Sequence, residues 1–242
     1  MILENGKTTV KQHYIPQFYL KQFSDNKKVL YQYDIVNNKS FSAPVSVESI
    51  CFEKNLYEFK DNNGNIVEEN LIEKWLSVYE GEFAKTFRNI QNKATHKDNF
   101  HTLCFLTREE KVLLVFFMAT LILRNPEILK TAQETALEVY GNKIDANSAW
   151  NIGLKSCLPI YEEFDITKNT VLNSVMHFFD NMSFQICAAD SNMLFTSDNP
   201  IFINGHDQPI IINEIILPIS DRLALYMKPY EKTKKGFKNR LV

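Results

Sequence analysis

The sequence predicts an α+β fold: a central helical bundle, about residues 66–180, packed against a small mostly antiparallel sheet from the N- and C-terminal zones. Three observations predict it. Residues 1–65 and 181–227 hold short apolar runs separated by turn residues, the pattern of strands. Residues 66–180 repeat their apolar positions at the 3.6-residue helical period. With 242 residues, 45% hydrophobic and 23% charged, the chain can bury a core without a metal or disulfide staple, and wholesale disorder is excluded. It reads as one domain: an N-terminal mixed segment (1–65), a helical zone (66–180), a β zone (181–227) and a basic tail (228–242).

In order along the chain, the aromatic segment Gln12 to Phe23 leads into a strand over Val29 to Asp34. Asn37-Asn38 supplies a turn before Lys39 to Ser42, and Leu56 to Phe59 is a further short strand closed by Asp61-Asn62-Asn63-Gly64. Glu68 to Gln91 carries Ile72, Leu76, Phe83, Phe87 and Ile90 on one helical face. Thr107-Arg108-Glu109-Glu110 matches a capping box and opens a helix apolar nearly all round, which places it at the bundle centre. Asn125-Pro126 ends that helix and starts the next, which stops at Gly141-Asn142. Helices are expected over Asn147 to Glu162 and Thr170 to Phe179. Ser183 to Ala188 is expected to pair with Asn192 to Thr196, and Glu214 to Ile219 with Arg222 to Met227 around Ser220-Asp221. The first and last zones are expected to share one sheet.

Charge and motifs exclude several function classes. Lys+Arg is 27 and Asp+Glu is 29, a net −2, so no global basic field holds nucleic acid. Such a partner would be held through the lysine-rich tail 228–242. Cys51, Cys104, Cys157 and Cys187 are spread apart without a C-x-x-C pair, which argues against a metal knuckle and fits buried thiols in a reducing cytoplasm. Met1 to Gln12 is polar, and the longest apolar run, Val112 to Leu123, is shorter than the about 20 residues that span a bilayer, so no membrane partner is expected. A P-loop and a dinucleotide fingerprint are absent, and Ser197 lacks the G-x-S-x-G elbow.

One polar constellation stands out. Glu69, Glu73 and Glu80 fall within about 40° of one another on a helical wheel, edging the apolar face of Leu76, Phe83 and Phe87. A carboxylate there needs a hydrogen bond, a cation or a metal. Arg124 ends the most apolar helix, so its guanidinium seeks an anion: a Glu on a neighbouring helix, or a phosphate. His13 lies in an aromatic run, as a core histidine or a site residue. Thr196-Ser197-Asp198-Asn199-Pro200 ends a β run either in a self-bonded turn or by presenting Asp198 to a cleft. Asp34 and Glu58-x-Lys60 are a weaker match to a restriction-type nuclease core.

His13-Tyr14-Ile15-Pro16-Gln17-Phe18-Tyr19-Leu20-x-x-Phe23 resembles the opening signature of a bacterial family known as domain of unknown function 4238. Glu69-Asn70-Leu71 through Glu80, Arg124-Asn125-Pro126, Thr196 to Pro200 and Leu217-Pro218-Ile219-Ser220 resemble its further blocks, in order. The resemblance implies no activity; it places the polar residues above inside motif blocks.

Two functions follow as expectations. The first is a non-catalytic binding or effector module whose polar groups form a buried network. The alternative is a metal-dependent phosphodiester hydrolase using His13, Glu80, Arg124 and Asp198. In it His13, Glu73, Glu80 and Asp198 would hold Mg or Mn, Arg124 would clamp phosphate, and Tyr14, Gln17, Glu73 and Ser197 would bind substrate. Both readings need these distant segments to converge.

Overall fold

The computed structural model describes residues 9–26, 28–95, 106–158, 170–179, 181–189, 193–206 and 211–230. Within them the fold is α+β. Two long helices form its spine: α2 (Leu71–Thr95) and α3 (Arg108–Leu123). The Thr107 hydroxyl accepts from the Glu110 amide at 3.2 Å, and Glu110 Oε2 accepts from the Thr107 amide at 2.8 Å, so the capping box forms as read. Lys93 Nζ donates to the same Glu110 carboxylate at 2.7 Å and ties the end of α2 to the start of α3. From Leu114 to Leu121 every residue of α3 is buried, as its all-round apolarity requires. Its Phe116 and Phe117 interlock edge-on with Phe83 and Phe87 of α2 at centroid distances of 5.1–5.4 Å.

Asn125 caps α4 (Pro126–Tyr140) by accepting from the Glu127 amide, and the break turns the chain by 60°. Helix α5 (Ala146–Cys157) packs back on α4; a Cβ at Gly153 would lie 3.0 Å from the Gln133 backbone nitrogen, so any larger residue would have to push the two helices apart by a few tenths of an ångström. Helix α6 (Thr170–Phe179) follows. The helix expected over Asn147 to Glu162 ends at Cys157, and residues 159–162 lie outside the described residues. No single described helix is long and apolar enough to cross a membrane.

The N-terminal zone is a set of short pairings. Strand β1 (Lys11–His13) pairs antiparallel with β6 (Phe52–Lys54), with His13 opposite Phe52. Helix α1 (Gln17–Leu20) is one turn long. Strand β2 (Val29–Leu30) pairs with β5 (Val45–Ser46), β3 (Tyr33–Asp34) with β4 (Lys39–Ser40), and β7 (Phe59–Lys60) with β8 (Ile66–Glu68). The single strand expected over Val29 to Asp34 is therefore two strands in two sheets. The turn that follows folds β3 back on β4: Asp34 accepts from the Asn37 amide and side chain, and Asn38 takes a left-handed φ of 50°. Likewise Leu56 to Glu58 is not strand; the β segment starts at Phe59.

The C-terminal zone forms one antiparallel sheet, in the order β10 (Phe202–His206), β11 (Ile211–Pro218), β12 (Leu223–Pro229), β9 (Met182–Ala188). The β11–β12 pair matches expectation, with the Ser220 hydroxyl accepting from the Arg222 and Leu223 amides at the corner. Two expectations fail. Residues 193–196 do not pair with β9, which lies at the edge of the sheet with β12 as its neighbour; instead the Leu194 amide donates to the Asp221 carbonyl at 2.8 Å. And among the described residues the first and last zones share no sheet. Strands of two or three residues in the first zone find partners locally, while side chains join that zone to the C-terminal sheet.

Candidate functional site

The segment Gln12 to Phe23 is the hub on which the fold closes. Gln12, 0% exposed, accepts from the Tyr57 amide at 2.7 Å through Oε1, and its Nε2 donates to Glu58. Glu58, 2% exposed, also accepts from the Asn70 amide at 3.0 Å, and Asn70 Oδ1 accepts from the Thr9 amide at 3.1 Å. Asn70 holds a left-handed φ of 56° just before α2, a conformation Asn tolerates. These bonds fasten β1 to the β7 strand and the start of α2.

Tyr19, 0% exposed, makes the connection to the C-terminal sheet. Its hydroxyl donates to the Pro218 carbonyl at 2.9 Å and accepts from Thr196 at 3.0 Å, while its ring packs on Phe87 and Phe117. The opening motif, the Thr196–Pro200 block and the Leu217–Ser220 block thus meet at one hydroxyl. Gln22 adds two contacts: its Oε1 accepts from Gln91 of α2, and its carbonyl accepts from the Asp221 amide.

Arg124 lies beneath this segment at 1% exposure. Its Nη1 donates to Glu80 Oε1 at 3.1 Å, joining the end of α3 to the middle of α2; Glu80 is 32% exposed. The Arg–Glu helix pair weighed from the sequence is therefore present. Among the described residues, Arg124 Nε is buried without a hydrogen-bond partner. Glu73 stands seven residues before Glu80 on α2 and within electrostatic reach of both. Burial, then the Glu80 charge, pushes its carboxyl up to about 7, against the opposing pull of Arg124. Glu69, read with these acids, is exposed and precedes the helix.

The His13 ring packs on Phe52 at 5.5 Å. Burial and the Arg124 and Lys11 charges hold its pKa below the ordinary value, against a hydrogen bond to the Glu48 backbone and the Glu48 charge. The lowered pKa favours the neutral ring, and among the described residues its Nε2 is buried without a hydrogen-bond partner. Tyr57, fully buried, donates to the His13 carbonyl at 3.4 Å; burial raises its pKa, and Arg124, Glu73 and Glu80 all act on it. His13, Tyr57, Glu73, Glu80 and Arg124 thus form one inner cluster.

Asp198 and Ser197 belong elsewhere. Both are exposed, and Ser197 closes its own turn: its hydroxyl donates to the Asn199 carbonyl at 2.8 Å and accepts from the Asn199 amide at 3.1 Å. Asp198 acts electrostatically on Tyr14 and Cys51, whose side chains hydrogen-bond each other. Burial, with the Asp198 charge, pushes the Cys51 thiol up to about 11, so it is no thiolate nucleophile at pH 7. Gln17 is half-buried at the start of α1.

The expected metal set, His13, Glu73, Glu80 and Asp198, is not assembled. Among the described residues no three His, Cys, Asp or Glu side chains converge to hold an ion. The physical reasons are that the Arg124 guanidinium pairs with Glu80, and that Asp198 is exposed and acts only electrostatically on Tyr14 and Cys51. A cation of Mg or Mn type would meet a fixed positive charge there. The nuclease-like match also dissolves: Asp34 caps its own exposed turn and Glu58 is consumed by Gln12 and Asn70. In the tail, Lys228 belongs to β12, and residues 231–242 lie outside the described residues.

The raised Glu73 pKa gives a signed pH dependence. The folded state holds this proton more tightly than the unfolded chain, so the stability it contributes is complete below pH about 4.5 and lost as pH rises through about 7. A rise of that size corresponds to about 3 kcal/mol. Glu73→Gln is expected to be the more stable protein at pH 8 and nearly equal at pH 4.5, as read from urea unfolding at the two pH values. His13, depressed, acts in the opposite sense in both proteins and cancels in the comparison.

Gln12, Tyr19, Tyr57, Glu58 and Asn70 escaped the sequence reading as network residues. Only the position of Gln12 and Tyr19 inside the aromatic motif, and of Asn70 inside the Glu-flanked block, hinted at them. No curated protein and no solved structure matches this chain. A family model described as "Protein of unknown function (DUF4238)" matches residues 11–157, from β1 to the end of α5, and so includes the inner cluster but not the Thr196 and Leu217 blocks. With more than half of its length so matched, the chain belongs to the DUF4238 family.

Proposed function

We propose that this domain is a non-catalytic binding module in which a buried polar network locks the aromatic N-terminal segment onto the helices and the C-terminal sheet. The observation that carries the reading is the Arg124–Glu80 pair. The one guanidinium buried among the described residues and the Glu80 carboxylate neutralise each other across two helices. Around them, Gln12, Glu58, Asn70, Tyr19 and Thr196 spend their polar atoms on backbone and on one another, as structural groups do. The inner cluster acts as scaffold, and partner contact falls to the surface that the network holds rigid.

The test is an incubation of the purified protein with single- and double-stranded DNA and RNA, with Mg²⁺, with Mn²⁺ and with EDTA. The reading expects no cleavage in any arm, and expects Glu80→Gln to lower the unfolding midpoint. Divalent-dependent cleavage that Glu80→Gln abolishes at an unchanged unfolding midpoint would overturn it.

A further inference from the structure

Away from the inner cluster, a recess of about 480 Å³ lies between the β7–β8 hairpin and α5, lined in part by Lys60, Asn62, Asn63, Val67 and Lys155. Its volume is in the range of sites that enclose a small molecule. Three features give it the character of a binding site. Its wall is braced: Asn151 reads the Lys60 backbone like a neighbouring strand, accepting from its amide at 3.3 Å and donating to its carbonyl at 2.7 Å. Asn147 donates to the Asp61 carbonyl at 2.9 Å. Its cations are uncompensated: no carboxylate lies within 4.0 Å of Lys60 or Lys155 among the described residues, and Lys155 Nζ rests 5.3 Å over the Phe59 ring.

The one acid in its described lining, Asp61, is engaged by its own loop. Asp61 Oδ1 accepts from the Asn63 and Asn65 amides and Oδ2 from the Asn65 side chain, so both oxygens serve their own loop. Two ammonium groups against one such carboxylate leave the lining positive. The Asn62 and Asn63 side-chain amides add donors and acceptors, so the site suits a polar body more than an apolar one.

We propose that this recess binds a small hydroxylated organic anion, its charged group held between Lys60 and Lys155 and its hydroxyls by the Asn62 and Asn63 amides. A phosphate ester and a carboxylate share this chemistry. The probes are glucose 6-phosphate, gluconate and uncharged glucose, titrated by calorimetry into the full chain.

Saturable binding of either anion, with glucose at least about tenfold weaker, is expected, since a charge-assisted contact is worth about that factor or more. The stronger of the two anions identifies the charged group. Lys60→Met and Lys155→Met each keep the apolar stem, so the fold should survive; each is expected to weaken the anion about tenfold with the unfolding midpoint unchanged. Absence of saturable binding by both anions, glucose binding as tightly as the anions, or anion binding unaltered in both variants would each overturn the proposal. If one Lys variant proves unstable, Lys60→Glu, a reversal at a half-buried rim position, replaces it and must abolish binding.

Discussion

Glu80→Gln is expected to destabilise the protein by about 3 kcal/mol, because it leaves a guanidinium buried without its counter-charge. Arg124 is 1% exposed and, among the described residues, its Nε lacks a hydrogen-bond partner, so with Glu80 neutralised its charge is left with the weaker electrostatic pull of Glu73. The amide of glutamine keeps an acceptor oxygen but not the charge. Glu80 itself is 32% exposed, which holds the effect to the lower part of the range for broken buried pairs. Asp198→Asn provides the contrast. Asp198 is exposed and its turn is closed by Ser197, so the change is expected to stay within about 0.5 kcal/mol. Urea unfolding of both variants at pH 7 checks the pair of values. Equal effects of the two would contradict the placement of these acids in an inner and an outer environment.

Gln12→Leu is expected to cost about as much, roughly 3 kcal/mol, although it is close to isosteric and adds apolar surface to a fully buried position. Leucine cannot accept from the Tyr57 amide and cannot donate to Glu58. The change therefore strands a buried N–H and removes a donor from a buried carboxylate, each loss costing about 1–3 kcal/mol. The loss has a location as well as a size. The β1–β6 pairing and the first turn of α2 should gain exchange rate at their backbone amides, while those of α4 and α5 should not. Fast exchange spread evenly over all helices would mean that Gln12 is only a core-filling residue.

How far the sequence revealed these features depends on the reach of each interaction. The capping box at Thr107, the Asn125-Pro126 break and the buried character of α3 are local, written within three or four residues, and all three appear as expected. The Glu80–Arg124 pair was legible for a different reason: each residue is an exception to its own helix, a charge at the edge of an apolar face, and two such exceptions of opposite sign invite pairing. Strand partners were less legible. Met193 to Thr196 alternates in burial like a strand, yet it docks on the Asp221 corner, where the Leu194 amide donates to the Asp221 carbonyl, and not on β9. Side chains that bond to distant backbone leave no period at all. Gln12 reaching Tyr57, and Tyr19 reaching Pro218, depend on the closed fold and on no spacing within the chain. For the same reason the four proposed metal ligands looked compatible by type, and only their positions show Asp198 exposed to solvent while Arg124 pairs with Glu80.

The most direct measurement is a double-mutant cycle on the helix-joining pair, comparing Glu80→Leu, Arg124→Met and the double variant by urea unfolding. A structural network predicts a coupling of about 2 kcal/mol or more, with the double variant more stable than Glu80→Leu alone, since no buried charge is left unpaired. Additivity within about 0.5 kcal/mol, or a double variant less stable than both single ones, would contradict it.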